Sequence, residues 1–223
     1  IRLLVLEPIP PSKLEPREGE GRSEARARIA EEIRALMEEA KRRVLEELKK
    51  RGLYNPDSAE KIGIAAIKFT LLQVTPSRPV TFKWENVLNF ERNSAPYLLY
   101  TYARCMGILR KARELGVNTA IDVEKAVKAA STLREKPSRR RLFKLIAKFP
   151  QVFVETSQSL DPSALASYLL AVADIFNSWY DEDPVLREPD EYKQALKMVI
   201  VNGVKIVISN GLRLLGIEPL ERM

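Results

Sequence analysis

Within "PYLLYTYARCMGILRKA", Tyr97, Tyr100, Arg104 and Lys111 are placed where they could do chemistry together. An α-helix turns by about 100° per residue. On that wheel Leu98, Tyr102, Cys105, Leu109 and Ala112 fall on one apolar stripe, which predicts a core face. Tyr97, Tyr100, Arg104 and Lys111 fall on a second face, about 130° away from it. Tyrosine rings stack on nucleobases, and an arginine fork takes phosphate or a base edge. The same spacing also suits two tyrosines packed against a neighbouring helix, since bundle helices bury two sides. Spacing alone leaves both readings open.

A second basic element is "SRRRLFKLIAKF". Arg140, Lys144 and Lys148 stand at i, i+4 and i+8, with Leu142, Leu145, Ile146 and Phe149 opposite. Such a helix either tracks a phosphate backbone or is an ordinary solvated helix. The positive charge is concentrated. Residues 101–150 hold thirteen Lys and Arg against four Asp and Glu, within a chain of net charge +7. That bias favours a polyanionic partner, nucleic acid before a membrane surface, or else a solvated face.

Other chemistries lack their residues. The sequence has no histidine and one cysteine, Cys105. Ser-His-Asp and Cys-His catalysis, His-ligated zinc and a thiolate cluster are therefore not expected. "GEG" at 19–21 lacks the lysine and hydroxyl of a phosphate loop. "DED" at 181–183 reads as a solvated helix end rather than a cation site. Cys105 lies on the core stripe and reads as an inert buried thiol. No catalytic residue, metal ligand or cofactor is expected in this chain.

The elements that must position these residues are helical. Residues 1–22 carry Pro8, Pro10, Pro11 and Pro16 and read as a short strand at most, then a flexible lead-in. From Ser23 to Gly52 the apolar residues follow one long helix. Further helices are predicted from Asp57 or Ser58 to Val74, and over one or two turns from Trp84 to Phe90. Another runs from Ser94 to before Gly116, with Pro96 in its first turn. "IDVEKAVKAASTL" makes the next, and "SRRRLFKLIAKF" one ended by Pro150. A helix capped by Asp161 and one from about Asp190 to Leu215 complete the set. "TPSRPVTFKW" has room for one short extended piece. The expected fold is all-α: a lead-in over 1–22, a helical arm and connector over 23–83, and a helical bundle over 84–223. No apolar run approaches the roughly 20 residues of a membrane span, and a reducing cytosol is the simplest setting. The chain opens on Ile1 rather than Met, which suits a trimmed or excerpted chain.

"FERNSAPYLLYTYARCMGILRKA" resembles the start of the C-terminal helical domain of arginyl-tRNA synthetases of the DALR type. That family reads F-E-G-N-S/T-A/G-P-Y-L-Q-Y-x-x-A-R at this point. Upstream, "AEKIGIAAIKFTLLQVTPSRPVTFKWENVLNFE" is similar to its connecting segment. Downstream, "LIAKFPQVFVETSQSLDPSALASYLLAVADIFNSWYDEDPVL" and "NGLRLLGIEPLERM" are similar to its later helices and its end. The likeness spans roughly residues 57–223 and is of archaeal character. It implies a DALR-type helical bundle that binds the anticodon arm of arginine tRNA, in the cytoplasm and without DNA or membrane. By position in the motifs, Tyr97, Tyr100 and Arg104 match family positions on the anticodon arm. Tyr180 matches another tRNA-contacting tyrosine, and Met223 the terminal residue that reaches the anticodon loop. With the basic residues Lys111, Arg140 and Lys144, these are the candidate tRNA-binding residues. Arg92 stands where the family has Gly, and Leu99 where it has Gln, which affects the turn before the helix and one polar contact.

A full-length member ligates arginine to tRNA using ATP. Its HIGH-type signature needs histidine, and its KMSKS-type loop has no counterpart in this sequence. Three readings stand: the tRNA-binding module of a synthetase, one subunit of a split ligase with a catalytic partner chain, and a standalone paralogue binding tRNA or another structured RNA. In each, the chain on its own is expected to give no arginine-dependent pyrophosphate exchange above background; exchange by the purified chain would overturn that expectation.

Overall fold

The structure is a computed structural model that describes residues 3–5, 21–53, 55–76 and 78–223. Most of the lead-in, residues 6–20, lies outside the described residues. Eight α-helices are found among the described residues, as the sequence pattern requires. The chain divides into two compact units, Ile1–Pro96 and Tyr97–Met223.

In the first unit, α1 (Arg22–Lys50) and α2 (Pro56–Leu72) carry the apolar periodicity. Glu24 reaches back to accept from the Gly21 N–H (3.0 Å), and Asn55 Oδ1 accepts from the Ser58 N–H (3.1 Å), with Pro56 opening the helix. Ala40, Val44 and Leu48 of α1 and Ile62, Ala66 and Phe69 of α2 are fully buried. A side chain at Gly63 would meet Ala40 Cβ at 3.2 Å, so the two helices are closely apposed there. A short parallel pair joins β1 (Leu3–Val5) to β2 (Val80–Phe82), in the register Leu3–Val80. These are the two short extended pieces for which the sequence left room. A single turn, α3 (Trp84–Val87), follows, and Phe82, Val87 and Ala66 form a small core.

The turn before the next helix is built without the family's glycine. The left-handed residue is Asn93 (φ 52°), not Arg92. Asn89 Oδ1 accepts from the Glu91 and Arg92 N–H groups (2.8 and 3.1 Å). An Asn-held turn therefore tolerates Arg at 92.

The second unit contains α4 (Ala95–Glu114) from Tyr97 onward, α5 (Val123–Lys128), a 3₁₀ turn (Ala130–Arg134), α6 (Pro137–Ser159), α7 (Pro162–Glu182) and α8 (Glu191–Leu214). "IDVEKAVKAASTL" is thus a short helix plus a 3₁₀ turn, not one helix. Asp122, Asp161 and Asp190 cap α5, α7 and α8 through their carboxylates.

α6 does not stop at Pro150. It continues to Ser159 and ends on Leu160 in the left-handed region (φ 55°). Proline withholds the N–H due to the Ile146 carbonyl, a cost of about 3 kcal/mol in a helix interior. Continuing the helix buries Val152, and one turn back the Tyr168 hydroxyl donates to the Leu145 carbonyl (2.7 Å). Phe149 stacks on Tyr168 with centroids 6.1 Å apart. Tertiary packing against α7 thus overrides the breaker.

α8 is the core helix. It is long and apolar enough to cross a bilayer, but 67% of its apolar window is buried inside the protein. Its backbone comes close to its neighbours: a Cβ at Gly203 would meet Ile146 at 2.9 Å, and one at Gly211 would overlap Leu169. Cys105 is fully buried, and burial pushes its thiol well above the ordinary range, as the core stripe implied.

Of the "DED" end of α7, Asp181 and Glu182 are solvent-exposed, as expected of a solvated helix end, and Asp183 is not. Asp183 is buried and draws together three helices. Arg139 of α6 donates to Oδ2 through Nε (2.9 Å), and Trp179 of α7 donates to the same oxygen (2.9 Å). Lys197 of α8 pairs with Oδ1 at 2.7 Å and with Glu188 at 2.8 Å. Burial pushes the Asp183 carboxyl up, but the bonds from Lys197, Arg139 and Trp179 outweigh it and hold it below its usual value of 3.8. Stability from this group is complete above about pH 4 and lost as pH falls through the depressed folded-state value. Asp183→Asn should lower unfolding free energy by about 3–5 kcal/mol at neutral pH, because it strands Arg139 and Lys197. Urea melts across pH should also show a shallower acid limb in the variant.

Candidate nucleic-acid interface

α4 and α7 lie side by side in the second unit, and three candidate residues meet between them. The Arg104 guanidinium sits over the Tyr100 ring at 4.9 Å from its centroid and over the Tyr180 ring at 5.3 Å. Its Nη1 donates to Asn177 Oδ1 (2.8 Å) and its Nη2 to the Tyr100 hydroxyl (3.0 Å). Both acceptors are neutral, so the fork is fixed without its charge being cancelled. Tyr100 is 39% exposed, which leaves ring surface open to solvent. Tyr180 is half-buried and stacks on the fully buried Phe176 with centroids 6.3 Å apart. An immobilised cation between two aromatic rings suits a planar, negatively charged ligand.

Tyr97 corrects the wheel. It was expected on the second, non-core face and is only 7% exposed. Its hydroxyl donates to Asp174 Oδ1 (2.9 Å) and accepts from Asn177 Nδ2 (2.9 Å). Burial, more than any neighbour, pushes its phenol up to about 12. A wheel assumes one buried side, whereas the first turns of α4 are buried almost all round: Leu98, Leu99, Thr101 and Tyr102 are buried too. Leu99 is therefore core here, where the family has Gln. Tyr97 shares Asn177 with Thr101 (3.2 Å) and Arg104.

Tyr102 is buried on the core stripe, as expected. Lys111 is exposed about 10 Å further along α4 and pairs with Glu114 at 3.2 Å. Arg140 and Lys144 are exposed on α6. Met223 is half-buried at the end of a tail that buried Ile217 and Leu220 pin down. Among the described residues, no hydrogen bond, ion pair or ring contact draws Lys111, Arg140 or Met223 into the tyrosine–arginine cluster.

Lys144 has a different setting. With Arg141 and Lys148 it lines a groove of about 460 Å³ between α6 and α7. Leu145, Ala171, Ile175 and Asp174 line the rest. Asp174 is thus the residue that joins groove and cluster.

Asp174, Asn177 and Arg141 escaped the sequence reading. A signal was present: Asp174, Asn177 and Tyr180 interrupt the apolar run "LLAVADIFNSWY" at i, i+3 and i+6, one flank of a helix. The sequence stripe of Arg140, Lys144 and Lys148 starts at Arg140, whereas the groove is lined by Arg141, one residue on.

Comparison with known proteins bears on the chain's family and fold. Residues 98–223 match the DALR anticodon binding domain family. The chain is 46% identical over 164 residues to an arginine–tRNA ligase of Ignicoccus hospitalis, covering 74% of this chain and 25% of that protein. It is 42% identical over 167 residues to that of Thermococcus kodakarensis, with the same coverage. It spans about a quarter of the length of these curated relatives. Among solved structures, the arginyl-tRNA synthetase of Thermus thermophilus superposes with a TM-score of 0.74 at 28% identity, over 86% of this chain and 32% of the other. That of Plasmodium falciparum, with a TM-score of 0.68 at 21% identity, shares the fold.

Proposed function

This chain belongs to the DALR anticodon binding domain family, and on that premise we propose that it grips the anticodon arm of an arginine tRNA as the recognition module of an arginyl-tRNA synthetase. The observation that carries the reading is Arg104, held between Tyr100 and Tyr180 with its charge uncancelled. Bases of an unpaired loop stack on the rings, and the guanidinium takes a phosphate or a base edge. Tyr97 and Asn177 position the fork rather than touch RNA. Lys111, Arg140 and Lys144 supply phosphate contacts, and Met223 is the contact nearest the chain's end. The ATP-dependent ligation of arginine is performed by a catalytic domain or chain outside these residues, in the cytoplasm.

Two variants on one helix test this. Tyr100→Ala should weaken arginine-tRNA binding by about 1–3 kcal/mol, the worth of a stacked base, with little change in melting. Tyr102→Ala should do the reverse and cost about 3–5 kcal/mol of stability. If Tyr100→Ala melts early yet binds normally when folded, the cluster is packing. Filter binding against salt concentration gives an independent check. Charge reversal at Arg140 and Lys144 should flatten the log–log slope by roughly 0.7–0.9 per lost phosphate contact. An unchanged slope would place the phosphate track elsewhere.

A further inference from the structure

The groove between α6 and α7 is basic on one wall only. Arg141, Lys144 and Lys148 stand at i, i+3 and i+7 on α6, with Leu145 among them. The α7 wall offers Ala171, Ile175 and a single carboxylate, Asp174. Asp174 is exposed and lies between two flanks of α7. One flank carries Asn177 and Tyr180 toward α4; the other carries Ile175 toward α6.

A carboxylate facing three cations across an apolar floor is an odd lining for a phosphate track. It repels a phosphate from its own wall and draws N–H donors there. One of its oxygens already accepts from Tyr97, which fixes its direction. A nucleotide offers both complements at once: a phosphate for the α6 wall, and a base edge with amino or imino N–H groups for the α7 wall. Leu145, Ala171 and Ile175 offer an apolar floor for its base and sugar. The volume of about 460 Å³ is within the range of small-ligand pockets.

Resting on the anticodon-arm reading above, we propose that this groove is a single-nucleotide subsite and that Asp174 is a specificity-determining residue, accepting a hydrogen bond from the base of one unpaired loop nucleotide. Arg141, Lys144 and Lys148 hold that nucleotide's phosphate and read no sequence.

The test is a coupling experiment with the full chain and an anticodon stem-loop RNA of arginine tRNA, its loop nucleotides made abasic one at a time. Asp174→Asn keeps an oxygen that can accept from Tyr97 and removes the charge. One loop position should weaken the wild-type chain by tenfold or more when abasic, yet change Asp174→Asn by less than threefold. Lys144→Ala should weaken all the RNAs by a common factor and reduce the salt slope. If no loop position couples to Asp174 while Tyr100→Ala still weakens the parent RNA, the subsite is overturned and the anticodon-arm reading stands. If the wild-type chain does not distinguish the stem-loop from an unrelated hairpin, the anticodon-arm reading itself is overturned, and the subsite with it. Thermal melts of both variants confirm that folded protein is being compared.

Discussion

One buried carboxylate holds the second unit together. Asp183 ends α7 and binds a cation from α6 and another from α8, while the indole of its own helix takes a further lone pair. Glu188 supplies a second negative charge beside Lys197, so two buried cations face two carboxylates. Arg139 also donates to the Thr132 carbonyl (3.2 Å), which ties in the 3₁₀ turn. Such an assembly contributes less net stability than its Coulomb energy suggests, because all its charges left water. Its consequence is register. α7 cannot slide or rotate without breaking several charged bonds, and α7 carries Asp174, Asn177 and Tyr180.

From that fixed helix the candidate interface follows by short steps. Asn177 bonds three residues of α4, and through them sets the direction of Arg104. Phe176, one residue earlier, is buried and backs Tyr180. α6 is anchored to α7 through Arg139 at one end and through the Tyr168 hydroxyl near its middle. The basic wall of the groove is therefore held at a fixed distance from the ridge that bears Asp174. Glycines at 203 and 211 let α8 lie close beneath both helices.

Much of this was legible in the residues. Helix starts at Asp161 and Asp190 were readable, and the one at Pro56 to within two residues, because caps and prolines act locally. The core role of Tyr102 and Cys105 was readable because their stripe is continuous. Three features were not readable, each for a non-local reason. Pro150 reads as a stop unless the packing of Val152 and Phe149 on α7 is known. Asp183 reads as solvated because its partners are 44 residues upstream and 14 downstream. Spacing leaves Tyr97 open between a ligand face and helix packing, because only the fold shows that α4 is covered on two sides at its start. In each case a tertiary partner reversed a local rule.

The sandwich around Arg104 bears on the timing of molecular recognition. A free arginine side chain carries about 2 kcal/mol of rotamer entropy, normally surrendered when a ligand captures it. Here two rings and two hydrogen bonds already confine the fork within the fold itself. On the proposed reading, an arriving loop meets a rigid cationic edge and must itself do the adapting. The motion that accompanies such an encounter then belongs mainly to the RNA, whose unpaired bases swing out to meet a surface that is already waiting.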